Sequence, residues 1–186
     1  SSNKWKFEYK SYKPYEAFVF NDLRCINDKL YPSIGYFKDE YKYPCVLEND
    51  REWMLITPNE IETMKKPISE ATGNVLTYGL GLGYYAYMVS MKDNVESVTI
   101  VEKDKEIIDL FNEYILPQFK NKSKIKIIND DAFNYFKKDI YYDYVFVDIW
   151  HDPSDGIDLY LKFKSLEKDN IKYSYWIEDT LKCYIE

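Results

Sequence analysis

The chain has 186 residues, with 25 Lys plus Arg, 32 Asp plus Glu and one His, a formal charge of −7, and 46% hydrophobic against 31% charged residues. That length suits one domain with a modest extension, and the apolar share supports a packed core, which excludes the disordered and low-complexity classes. The acidic balance argues against a sequence-independent grip on nucleic acid or anionic lipid, which depends on clustered Lys and Arg. No run approaches the roughly 20 apolar residues of a membrane helix, and no charged-then-apolar leader is visible. Cys25, Cys45 and Cys183 are odd in number and widely spaced, with no metal-like pairing, so a reducing cytoplasm without a structural metal is the expected setting. The 20 Tyr, 10 Phe and 4 Trp are attributed to the base composition of the gene and carry no functional weight.

In chain order, residues 1–32 read as irregular, with a short helix around Phe20 to Leu30. Cys45-Val46-Leu47 and Glu52-Trp53-Met54-Leu55-Ile56, separated by Glu48-Asn49-Asp50, predict a β-hairpin. Thr57-Pro58-Asn59-Glu60 predicts a helix start, with Thr at the N-cap, Pro at the first position and Glu three residues after the cap. Pro67 is expected to end or kink that helix. From Gly73 onward short apolar strands alternate with helices, the pattern of a parallel α/β sheet. The strands are Val75–Tyr78, Val98–Val101, Ile125–Ile128, Tyr144–Val147 and Tyr173–Ile177; the helices are Tyr84–Met91, one with Ile107, Ile108, Phe111, Tyr114 and Ile115 on a single face, Ala132–Lys137 and Gly156–Lys168. The expected architecture is a doubly wound α/β, Rossmann-like domain over 73–186, with helices on both faces and a shortened C-terminus, preceded by an extension over 1–72 that carries the hairpin and a helix.

Gly79-Leu80-Gly81-Leu82-Gly83 falls between a predicted strand and a predicted helix, where alternate glycines let the backbone turn tightly and a ligand approach closely. Glu102 follows the next strand, where an acid accepts the hydroxyls of a ribose. Two registers compete: Gly81-x-Gly83-x-x-Ala86 fits a dinucleotide fingerprint, and Gly79-x-Gly81-x-Gly83 fits an S-adenosylmethionine motif. The other strand ends decide between them. Glu102, Asp104, Asp130, Asp131, Asp148 and Asp152 crowd one sheet edge, and such a negative mouth repels a pyrophosphate and suits a sulfonium or an amine.

Residues from about Trp53 to Ile177 resemble a class I S-adenosylmethionine-dependent methyltransferase, in the branch similar to spermidine synthases. The resemblance rests on VLTYGLGLG (75–83), VTIVEKDKEII (98–108), Asp131-Ala132, and YYDYVFVDIWHDP (141–153) with its strand-ending Asp148 and following Asp152-Pro153. It implies an adenosyl site made by Tyr78, Gly79, Leu80, Gly81, Gly83, Glu102, Lys103, Asp130, Asp131, Ala132 and Asp148, with S-adenosylmethionine as cofactor and S-adenosylhomocysteine as product. The Tyr-His-Glu element of spermidine synthases is absent, with Asn59-Glu60-Ile61-Glu62 in that region, and the Asp148 segment is one residue longer.

The expected activity is therefore S-adenosylmethionine-dependent methyl transfer to a small, cationic or aromatic acceptor. Asp148 takes the acceptor's proton or steadies its charge. Aminopropyl transfer is the alternative, and a non-catalytic adenosyl-binding module is a third reading, with a homodimer as one way to cover an open sheet edge. His151 is read as an incidental loop residue or a second base. Trp150 and Tyr84 flank the mouth, as stacking or as packing groups. Trp53 and Met54 either roof the site or pack the hairpin, and Glu178-Asp179 reads as a solvated end.

Overall fold

The computed structural model describes residues 4–21, 25–27 and 29–185. The chain enters through β1 (Trp5–Tyr12), passes short strands β2 (Phe18–Asn21), β3 (Cys25–Ile26), β4 (Lys29–Leu30) and β5 (Ser33–Gly35), and reaches the pair β6 (Tyr41–Glu48) and β7 (Arg51–Leu55). Three of these form one antiparallel sheet in the order β1-β6-β7. The expectation of an irregular first segment is corrected here. Trp5, Phe7, Tyr9 and Ser11 alternate with Lys6, Glu8 and Lys10, the period of a strand, and β1 pairs with β6 from Trp5 opposite Glu48 to Tyr12 opposite Tyr41. Around Phe20 to Leu30 the described residues form strands rather than a helix, and β3 pairs with β4 across Asn27, whose φ of 49° suits asparagine in a tight turn. Residues 22–24 and 28 lie outside the described part. The β6–β7 hairpin is as expected, with Asn49 (φ 49°) and Asp50 (φ 64°) in the left-handed conformations of a two-residue hairpin turn.

Helix α1 (Pro58–Glu70) starts at the expected cap, where Thr57 Oγ1 accepts from the Glu60 amide at 3.3 Å. Pro67 does not end it: the helix runs three residues further and Pro67 is buried. A substitute for ordinary end-capping explains this. Lys92 Nζ donates to the carbonyls of Ile68 (2.7 Å), Ser69 (2.9 Å) and Ala71 (2.6 Å), so one ammonium satisfies the orphan acceptors of the last turn. Burial holds that ammonium below its ordinary pKa.

Beyond α1 lie β8 (Gly73–Tyr78), α2 (Tyr84–Ser90), β9 (Val95–Glu102), α3 (Lys105–Leu110), β10 (Ile125–Asn129), α4 (Ala132–Phe136), β11 (Tyr144–Val147), α5 (Pro153–Lys164), β12 (Lys172–Tyr175) and α6 (Glu178–Ile185). The strands form one five-stranded parallel sheet in the order β10-β9-β8-β11-β12, the doubly wound α/β architecture. Its interior is aliphatic and aromatic: Val75, Val98, Ile100, Phe146 and Val147 are fully enclosed.

Two further elements depart from the sequence reading. The helix from Lys105 widens into a π-turn over Phe111–Ile115 and tightens to a 3-10 turn at Leu116–Gln118. That change of pitch puts Phe111 in the core at 1% exposure and swings Tyr114, expected on the same face, out to 52%. The segment after β12 is helix α6, which buries Thr180 and Leu181 while Asp179 at its start is exposed, as expected. Among the described residues no helix is long and apolar enough to cross a membrane.

Replacing Lys92 with Met should lower the unfolding free energy by about 1–3 kcal/mol, the cost of orphaning acceptors that had a charged donor, as read by urea denaturation. An unchanged midpoint would show that water caps α1 equally well.

Candidate active site

The sheet reverses its winding between β8 and β11, the place where crevices open in such folds. A cleft of about 810 Å³ lies there, within the roughly 300–1,000 Å³ of small-molecule sites. The glycine loop forms its floor. Gly79 has φ 96°, and a Cβ at that position would stand 2.0 Å from the Asp148 carbonyl oxygen. A Cβ on Gly83 would meet the Phe111 ring at 2.4 Å, whereas on Gly81 (φ 55°) it would meet nothing within 4 Å. Gly79 and Gly83 therefore answer to packing, and Gly81 leaves open room in the cleft.

Glu102, at the end of β9, is fixed by the loop that it serves. Its carboxylate accepts from the amides of Leu80 (3.2 Å) and Asp104 (2.9 Å). Each carboxylate oxygen retains acceptor capacity for a ligand hydroxyl. Asp104 caps α3 and also binds Lys4 at 3.1 Å; these contacts outweigh burial and hold its carboxyl below the usual range. Asp130 is held low chiefly by Lys138, 2.6 Å away, and also accepts from the Asp131 amide. Asp131 caps α4 through the Phe133 and Asn134 amides. Lys103 and Ala132 line the cleft beside these acids.

Asp148 follows β11. Its amide donates to the Tyr78 carbonyl (2.9 Å), and its carboxylate accepts no hydrogen bond among the described residues. Protein surrounds the group deeply while part of it remains open to the cleft, and desolvation, with the charge of Glu60, pushes its carboxyl well above the ordinary carboxylate range.

Gly79, Leu80, Gly81, Gly83, Glu102, Lys103, Asp130, Asp131, Ala132 and Asp148 thus share one cleft. Tyr78 does not join them. Its ring is 1% exposed, packed against Tyr135, Phe136 and Phe163, and only its carbonyl serves the site. Asp152, expected at the same mouth, is instead the N-cap of α5, in a capping box with Asp155. Trp150 is a buried anchor whose indole N–H donates to the Trp176 carbonyl at 3.2 Å; the Trp176 indole in turn reaches Thr63 at 2.9 Å.

The opposite wall was largely hidden in the sequence. β1, the hairpin and α1 bring Trp5, Glu48, Glu52, Trp53, Met54 and Glu60 to the cleft. Lys4 ties this wall to the glycine-loop side by reaching both Glu48 (3.0 Å) and Asp104 (3.1 Å). Trp53 packs edge-on to Trp5 at 5.8 Å and to His151 at 4.3 Å, so it lines the site and joins β1 to the loop after β11. The strict alternation of β1 was a readable signal for its strand; nothing local indicated which cleft it would line. No group of three or more His, Cys, Asp or Glu among the described residues is placed to hold a metal.

Residues 59–168 match the family model of the spermine/spermidine synthase domain. A polyamine aminopropyltransferase of Leptospira interrogans is 38% identical over 87 residues, covering 44% of this chain and 17% of that protein. One from Alkaliphilus oremlandii is 31% identical over 108 residues, covering 53% and 38%. The match thus spans well under half the length of either relative. A spermidine synthase crystallised with the transition-state analogue AdoDATO superposes with a TM-score of 0.52 at 18% identity, covering 73% of this chain and 54% of that one.

These matches correct two expectations. Methyl transfer is replaced by a family and relatives named for polyamine synthesis and aminopropyl transfer, and S-adenosylmethionine as cofactor falls with it. The physical reason is that a glycine loop and a ribose-binding acid serve any adenosyl sulfonium. They do not report which of its three carbon substituents is transferred.

Gly79→Ala should destabilise the fold by about 2–4 kcal/mol, since it adds a backbone clash to left-handed strain. Gly81→Ala should cost only about 1–2 kcal/mol of backbone strain yet weaken adenosyl-ligand binding. Thermal melts and calorimetry separate the two; equal melting losses would contradict the assignment of open space to Gly81.

Proposed function

Because the chain belongs to the spermine/spermidine synthase domain family, we propose that its cleft binds decarboxylated S-adenosylmethionine and transfers the aminopropyl group to a small polyamine. The observation that carries this reading is the acidic lining of both walls, in which Glu60, Glu102 and Asp148 border the cleft beside Glu48 and Asp104, which share Lys4, and Glu52, which pairs with Lys10. Decarboxylated S-adenosylmethionine has lost its carboxylate and keeps an ammonium beside the sulfonium, so both of its charges are drawn into such a field. A polyamine acceptor is drawn for the same reason, and the carboxylate of S-adenosylmethionine is repelled.

In this reading residues 73–186 supply the donor half. Glu102 takes ribose hydroxyls, the Gly79–Gly83 loop passes under the sulfonium side, and Asp130, Asp131 and Ala132 border the base, with the backbone of Tyr78, Leu80 and Lys103 completing the frame. Residues 1–72 supply the acceptor half through the hairpin and Glu60, which lies in the region where the resembling synthases carry their Tyr-His-Glu element. The reaction is an in-line displacement, so alignment is most of what the protein provides. Asp148 is the group that meets the acceptor amine. Burial and the charge of Glu60 disfavour its ionised form, and an arriving cation favours it.

Two outcomes follow from that cycle. Binding of a diamine should release protons, detected calorimetrically as a dependence of the heat on the ionisation enthalpy of the buffer. Asp148→Asn should lower kcat by about 10²-fold or more with a smaller change in donor affinity, the pattern of a group acting in the transition state. Equal losses in binding and turnover would remove its catalytic role.

A further inference from the structure

The transfer has a proton to dispose of, and the cleft holds a second group able to take it, at its solvent-exposed mouth. His151, the single histidine of the chain, lines the same cleft three positions beyond Asp148 and is exposed at its mouth. Two contacts fix its ring. Nδ1 lies 3.0 Å from Asp155 Oδ2, and Trp53 packs against the ring at 4.3 Å with an interplanar angle of 78°.

Asp155 is itself held. Its carboxylate accepts from the backbone amides of His151 (3.1 and 3.2 Å) and Asp152 (3.0 Å). These bonds and the imidazole outweigh burial and keep the carboxyl below its ordinary range. A carboxylate only accepts, so Nδ1 is the donor, and the neutral ring presents a free lone pair at Nε2. An oriented imidazole backed by a fixed carboxylate is a working proton acceptor on unrelated folds. The loop between Asp148 and Pro153 thus carries an imidazole to the cleft mouth.

We propose that His151 accepts the proton lost by the attacking amine, with Asp155 as its positioning residue; this rests on the aminopropyl-transfer reading. The acceptor enters as an ammonium and gives one proton to Nε2, which frees its lone pair, and the exposed imidazolium returns that proton to water. The lone pair forms an N–C bond to the propyl carbon attached to sulfur as the C–S bond breaks, its electron pair staying on sulfur to convert the sulfonium to a neutral thioether. The new secondary amine keeps its remaining protons. Asp148 holds the amine in line throughout.

The test is steady-state transfer by the full chain from decarboxylated S-adenosylmethionine to 1,4-diaminobutane. His151→Ala should lower kcat by about 10²-fold with KM changed by less than about threefold, and added imidazole should restore about tenfold of the loss. His151→Gln, which keeps a donor toward Asp155, should melt like the unmodified chain yet show the same kcat defect. Asp155→Asn should lower kcat less than His151→Ala does, and Asp155→Glu should recover part of it. An unmodified chain that turns over, with His151 variants within about threefold of it in kcat or unrescued by imidazole, overturns the proton role alone. An unmodified chain that neither binds the decarboxylated donor nor transfers overturns the underlying reading and this inference with it.

Discussion

The site depends on one close approach. Between β8 and β11 the Asp148 amide donates to the Tyr78 carbonyl at 2.9 Å, and the Asp148 carbonyl oxygen lies where any side chain on Gly79 would have to be. The parallel pairing of the two strands therefore continues one residue past their ends, and it continues only because position 79 has no Cβ. That contact sets the glycine loop and the strand-ending carboxylate side by side. An adenosyl ligand on the first then meets chemistry supplied by the second. Glu102 extends the same logic by binding the Leu80 amide, so the loop is held from β9 as well as from β11.

Around that junction the protein accumulates negative charge at some cost. Many of the carboxylates are stabilised by local donors: Asp104 and Asp131 cap helices, Asp130 pairs with Lys138, and Asp155 is held by amides. Asp148 is the exception, a deep carboxyl with no donor among the described residues and a second acid, Glu60, nearby. An unpaired buried carboxyl is unfavourable unless it stays protonated or a cation supplies the missing partner. The fold thus leaves one position in the cleft whose electrostatics improve when an amine enters, and that position is next to the glycine loop.

Much of this was readable in the residues. Short apolar runs at Val75, Val98, Ile125, Tyr144 and Tyr173 located the five strands of the parallel sheet, because buried parallel strands have few ways to be written. Gly79 to Gly83 and Glu102 located one wall of the cleft through their fixed relation to strand ends. What was not readable is long-range or depends on pitch. Trp5, Glu48 and Glu60 reach the cleft through the pairing of β1 with β6 and the placement of α1, which no local pattern specifies. The π-turn at Phe111 moved Tyr114 off a face that ideal helical spacing assigned to it. Lys92 carried α1 past Pro67 by capping it from a loop in another part of the chain. The choice between methyl and aminopropyl transfer was hidden for a related reason: the glycine and acid motifs suit any adenosyl sulfonium, and the wall opposite them is assembled from distant segments.

If the acidic cleft selects an adenosyl sulfonium lacking a carboxylate, calorimetric titration of the chain should show it. Decarboxylated S-adenosylmethionine should bind at least about tenfold more tightly than S-adenosylmethionine, a difference of about 1.4 kcal/mol or more, diminishing as salt screens the acidic walls. Equal or tighter binding of S-adenosylmethionine would refute that selectivity.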